Sequence, residues 1–135
     1  MENFTFSSSQ TLQQAKDGFH ELFHFLKVEF FTKTHQDKAA SWSRFQISDL
    51  QQQIGALGAN NKNGILVVNS RMKVSELEQE FQEIFGFGIQ VFRKSKEIWL
   101  ETTQTDSWNL ETQNHHGRES MESFGTMIYD PREES

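Results

Sequence analysis

Two stretches lying 62 positions apart share one spacing of apolar residues, and this constrains the fold more than any other feature of the chain. At 74–85, Val74, Leu77, Phe81, Ile84 and Phe85 fall three, four, three and one apart, which sets them on one face of an α-helix. Gly86 supplies a stop, because glycine adopts the left-handed conformation without a Cβ clash. Ile89, Gln90, Val91 and Phe92 then alternate as a strand does. The β-branched run at 64–68 follows the turn-like residues 60–63 and predicts a strand ahead of the helix. The unit reads β-α-β.

Near the N-terminus Leu12, Ala15, Phe19, Leu22 and Phe23 have the same spacing, and Phe4, Thr5 and Phe6 stand 62 positions before Leu66, Val67 and Val68. Beyond the helix the register slips by one, so that Val28 and Phe30 match Ile89 and Val91. Thr11 with Gln14 makes a capping-box pair, and the pattern predicts a helix over 11–25 and a strand over 26–32. At the second helix the cap position holds Lys73, while Ser75 with Glu78 offers a later start.

Two such units in tandem predict an α+β fold of ferredoxin-like form: a two-layer sandwich of one four-stranded antiparallel sheet with both helices on one face. The expected domain spans 1–117, built from repeats 1–33 and 64–94 and a partly ordered connection at 34–63, with a C-terminal tail at 118–135 that is partly docked or disordered. Within the connection, Ser48 and Gln51 would cap a short helix carrying Leu50, Ile54 and Leu57. Ile98, Trp99 and Leu100 predict a short strand. Residues 105–107 would cap a brief helix holding Trp108 and Leu110 and closed by Gly117, and Met127, Ile128 and Tyr129 offer one further strand. A competing reading takes residues 64–129 alone as a β-grasp-like unit, which leaves 1–32 unexplained. Against the ferredoxin-like reading stands the length of the 34–63 connection, where that fold joins its strands tightly.

The chain of 135 residues is long enough for a single core, and its thirteen phenylalanines supply that core. Cysteine is absent, which removes disulfides and thiolate metal sites and is compatible with a reducing cytoplasm. A formal charge of -6 argues against nucleic acid as a partner; Arg93, Lys94 and Lys96 form the only dense basic group, read as a solvated strand end. No apolar stretch approaches membrane-spanning length, so a cytoplasmic, membrane-free protein is expected. The pattern Val74, Leu77, Phe81, Phe85-Gly86, Ile89, Val91, Trp99-Leu100, Trp108-Asn109-Leu110 and Gln113-Asn114 resembles that of small bacterial proteins of uncharacterised function. The resemblance implies a shared fold and no activity.

One string carries specific chemistry. His20-Glu21-Leu22-Phe23-His24 spells H-E-x-x-H, in which imidazoles one helical turn apart bind zinc and the glutamate, here Glu21, activates the bound water. A third ligand would come from His35 or Glu29. Against this, the helical wheel turns His20, Glu21 and His24 away from the face of Phe19 and Leu22, and the matching positions in the second unit hold Gln82, Glu83 and Gly86. His115 and His116 are adjacent on a helix and point about 100° apart, so they chelate poorly. No phosphate-binding loop or nucleophile elbow is present. Tryptophan is enriched at interface hot spots; Trp42, Phe92 and Trp99 exceed what two helices cover and are the candidate binding residues, with burial in the core as the competing role. The leading expectation is a non-enzymatic interaction or accessory module that meets another protein or a copy of itself. The alternative is a small zinc-dependent hydrolase using His20, Glu21, His24 and His35, and the third reading is a regulator that binds a small ligand.

Overall fold

The computed structural model describes residues 3–32, 42–57 and 63–128. Their elements are β1 (Asn3–Ser7), α1 (Leu12–Leu22), β2 (Leu26–Phe31), a 3-10 turn (Trp42–Phe45), α2 (Ile54–Leu57), β3 (Ile65–Asn69), α3 (Val74–Phe85), β4 (Gly88–Ser95), β5 (Ile98–Glu101), a second 3-10 turn (Thr103–Thr105) and α4 (Leu110–Ile128). The fold is α+β, with four helices and two antiparallel sheets among the described residues.

The sheets are divided where a single four-stranded one was expected: β1 pairs with β3, and β2, β4 and β5 pair in that order. The reason is edge occupancy. One edge of β2 holds β4, and the other is taken by residues 45–47, with Thr32 N–H donating to the Phe45 carbonyl at 2.9 Å and Ile47 N–H to the Phe30 carbonyl at 2.7 Å. No edge is left there for β3. Because β3 pairs with β1, the C-terminal half does not form a β-grasp sheet of its own. In the register Thr5 lies opposite Val67 and Glu29 opposite Gln90, with Phe4 facing Val68 and Val28 facing Val91. Each strand of the first unit thus faces its counterpart in the second.

The helix starts show a reciprocal arrangement. Leu12 and Gln13 N–H groups donate to the Gln52 and Leu50 carbonyls, while Ile54 and Gly55 donate to the Gln10 and Ser8 carbonyls. Likewise Val74 and Ser75 donate to Trp108 and Asp106, while Leu110 and Glu111 donate to Met72 and Ser70. Amides at a helix start have no partner within the helix, so α1 with α2, and α3 with α4, satisfy each other's first turns. Thr11 and Gln14 form the expected capping box. At α3 the Glu76 carboxylate accepts the Lys73 N–H at 2.8 Å, fixing the earlier of the two possible starts. Gly86 ends α3 at φ 87°, a conformation that costs a Cβ-bearing residue roughly 1–2 kcal/mol.

Several expected boundaries move. α1 stops at Leu22 rather than running to 25, because Phe23 turns into the core and its carbonyl accepts the Leu26 N–H. The Ser48–Gln51 box does not form; Asp49 accepts the Gln51 N–H instead, and α2 begins only at Ile54. Trp108 precedes α4, whose first turn is capped by the Asn109 side chain through the Thr112 N–H at 2.8 Å. Gly117 does not close that helix but lies inside it, where the backbone of residue 25 approaches closely. Met127 and Ile128 are helical rather than strand; Tyr129 and His35 lie outside the described residues.

Alternation sends Phe6, Leu66 and Val68 of the first sheet, and Leu26, Val28, Phe30, Ile89 and Val91 of the second, into one core with Leu12, Ala15 and Phe19 of α1 and Val74, Leu77, Phe81 and Phe85 of α3. Its centre is aromatic: the Phe81 ring meets those of Phe6, Phe30, Phe85 and Phe87 at 4.8 to 5.8 Å. Each such side chain contributes about 1.5–3 kcal/mol by leaving water.

Candidate functional site

Lys27 and Glu29 of β2 share the outer face of the second sheet with Phe92 and Lys94 of β4 and Trp99 of β5. Strand register brings them together, since Lys27 lies opposite Phe92 and Lys94 opposite Trp99. The Lys27 ammonium stands 5.5 Å from the Phe92 ring and 5.1 Å from the Trp99 ring, and the Lys94 ammonium 5.1 Å from Trp99. These are cation–π distances. The indole is only half-buried, so it is gripped by two cations and still open to solvent.

α1 borders this face. Its Lys16 ammonium bonds both oxygens of the Glu29 carboxylate, at 3.0 and 3.1 Å, and Lys27 meets the same carboxylate at 3.0 Å. Glu29 is buried, so the two ammonium groups are what make a charged carboxylate tolerable there. One turn along the helix, the His20 ring lies 6.2 Å from Trp99, edge-on, with Nδ1 2.8 Å from the Leu26 carbonyl. A carbonyl only accepts, so Nδ1 carries the proton in this contact. Lys16, Asp17, His20, Lys27 and Trp99 line a groove of about 180 Å³.

The zinc motif is not assembled as one helical turn. α1 ends at Leu22, which leaves His24 beyond the helix, and Glu29 is held by lysines. Glu21 and His24 are exposed, and among the described residues no group of three or more His, Asp or Glu is placed to hold a metal ion. Of the other candidates, Phe92 and Trp99 converge with His20 around Lys27. Trp42 opens the first 3-10 turn, and its side chain lies outside the described part.

Lys16 and Lys27 were not singled out by sequence reasoning, and Lys94 was read only as part of a solvated strand end. Period-two alternation of Lys27 with Glu29 was a signal for one shared face, but Lys16 reaches Glu29 across a fold contact that no local spacing reveals. Arg93, grouped with Lys94 in the sequence, points to the other side: it donates to Gln113 Oε1 at 2.9 Å and lies 5.6 Å from the Trp108 ring. Burial pushes its guanidinium below its ordinary value. Lys96 takes φ 57° at the β4–β5 turn and donates its N–H to Ser120 Oγ, tying the hairpin to α4. On the first sheet Ile65 and Val67 are exposed opposite Ser7 and Thr5, and single exposed apolar side chains are ordinary for protein surfaces.

No protein-family model matches this chain, and no curated protein or solved structure is significantly similar to it. Among the described residues no helix is long and apolar enough to cross a membrane.

Proposed function

We propose that this chain is a non-enzymatic protein-interaction module whose docking face is centred on Trp99 and Phe92. The observation that carries the reading is the half-buried Trp99 indole with an ammonium group 5.1 Å from its centre on both Lys27 and Lys94. Half-buried aromatic rings in rigid surroundings are typical interface anchors. The groove beside it, about 180 Å³, is smaller than the ~300–1,000 Å³ of small-molecule pockets and suits one inserted side chain.

The partner is an acidic protein segment that lays an apolar side chain against Trp99 and brings carboxylates to the lysines. Lys94 makes no ion pair with any described residue, and Lys27 shares its one carboxylate with Lys16. Asp17 at the groove and Glu101 opposite Phe92 bound the cationic patch and orient the segment along the Lys27–Lys94 direction. Such complementarity works chiefly through selectivity and encounter rate.

Panning the immobilised protein against a random peptide library tests this. Enriched peptides should place Asp or Glu beside an aromatic or aliphatic residue. Truncating an interface anchor costs about 2 kcal/mol or more, so Trp99→Ala should weaken the peptides roughly thirtyfold, and the Lys27→Ala, Lys94→Ala double variant should abolish their salt dependence. A consensus without acidic residues, or equal binding by both variants, overturns the reading; capture of a second copy of the chain would replace the partner with self-association.

A further inference from the structure

A cleft lies away from Trp99, where the end of α1 meets the first turns of α4. It measures about 540 Å³, within the range of small-ligand pockets. Its floor is apolar, from Leu22 and Phe23, and its wall is a polar stripe of α4 that includes Glu111, Asn114, His115 and Arg118. The Arg118 and Glu111 side chains make no hydrogen bond or ion pair with any described residue. Asn114 spends its Oδ1 on the Phe25 N–H at 2.9 Å, which leaves its amide N–H groups for another acceptor. His115 is paired with Glu119 at 3.3 Å.

In the other half the contact between α2 and α3 buries Ile54, with Leu57 and Ile84 packed against the core. The α1–α4 cleft instead carries charged side chains of both signs beside its apolar residues.

We infer that the α1–α4 cleft binds a short zwitterionic peptide of two to three residues with an apolar side chain. Glu111 and Arg118 are seven residues apart on α4, about 10 Å along the axis at ~1.5 Å per residue. An extended chain covers at most ~3.3–3.6 Å per residue, so the two charged ends of a tripeptide match that separation, whereas those of a single amino acid do not. The terminal carboxylate meets the Arg118 guanidinium, whose planar fork suits it, and the Asn114 amide; the terminal ammonium meets Glu111; the apolar side chain rests on Leu22 and Phe23.

Calorimetric titration of the full chain with trileucine, N-acetyl-trileucine and trileucine amide tests this. Trileucine should bind saturably, and each blocked peptide about tenfold or more weaker. Arg118→Gln should weaken trileucine but not the amide further, and Glu111→Gln should weaken trileucine but not the acetylated peptide further, because each pair of changes removes one contact. Both side chains are exposed, and melting curves verify that the variants fold. The assignment fails if none of the three peptides binds saturably, if the penalties simply add, or if Trp99→Ala removes binding and so moves it to the other site.

Discussion

Phe81→Ala measures how far the two sheets depend on one aromatic centre. Phe81 is fully buried and its ring touches Phe6 of β1, Phe30 of β2, Phe85 of its own helix and Phe87 just beyond it. A phenylalanine buries roughly 150–250 Å², worth about 4–6 kcal/mol at ~25 cal/mol per Å² as an upper bound, since the unfolded chain already hides some of it. Alanine keeps part of that, while the hole left among rigid rings costs extra, so a loss of about 3–5 kcal/mol is expected. A chain of 135 residues has an unfolding entropy near 0.28 kcal/mol/K at ~2.1 cal/mol/K per residue, so Tm should fall by about 10–18 °C. Urea unfolding gives the free energy directly, with an unchanged slope showing that the unfolded state is the same. Phe92→Ala, on the half-buried outer face, serves as the control and should cost about 1 kcal/mol. A loss below about 1.5 kcal/mol for Phe81→Ala at unchanged slope would mean that the two sheets do not share a core.

Gly117→Ala should destabilise despite the better helix propensity of alanine: a Cβ there would sit 2.7 Å from Phe25 Cβ and 3.0 Å from its carbonyl oxygen, and overpacking of about 1–3 kcal/mol exceeds the roughly 1 kcal/mol gained. Urea melts check the sign. Lys16→Ala and Lys27→Ala should each cost about 0.5–1 kcal/mol, since the other lysine still serves the buried Glu29, but the double variant should lose about 3 kcal/mol, more than additive, because the carboxylate is then buried alone; additivity in denaturant melts would show that Glu29 is solvated. Chelator should leave Tm unchanged, as should His24→Ala, because the helix ends before His24; a drop on chelation together with stoichiometric zinc would restore the metal-site reading.

What the sequence could reveal was set by how local each cause is. The three-four-three-one spacing placed α1 and α3 because an apolar face is written along the helix itself. Gly86 marked the end of α3 for a backbone reason, visible in one residue. α1 has no such glycine, and its stop at Phe23 comes from burial of that ring and a hydrogen bond to the start of β2, so extension to 25 was the natural misreading. α2 was misplaced for a similar reason, since its first amides are satisfied by Gln10 and Ser8, more than forty positions away. At the candidate site the aromatic half was legible, because Phe92 and Trp99 exceed what two helices can cover. Its cationic half was not: Lys16 and Lys27 are ordinary surface residues until α1 docks along β2.

The same backbone plan carries opposite chemistry in its two halves, and the difference bears on where binding can occur. Lys16 of α1 and Glu78 of α3 stand 62 positions apart, and Glu29 and Gln90 face each other across the second sheet. In the first half Lys16 is part-exposed and brings a cation to the rim of the sheet, where Glu29 anchors it and Lys27 joins it beside Trp99. In the second half the Glu78 carboxylate is buried and accepts the Val91 N–H at 3.0 Å, so it serves the backbone of β4. A carboxylate at position 16 would set a second negative charge against the buried Glu29 and leave Lys27 as the one lysine held to it among the described residues. This one helix position therefore carries a part-exposed cation in the first half and a buried carboxylate in the second. α1 borders both open features, with His20 on the Trp99 groove and Leu22 and Phe23 on the α4 cleft, whereas Phe81 and Phe85 at the end of α3 belong to the core.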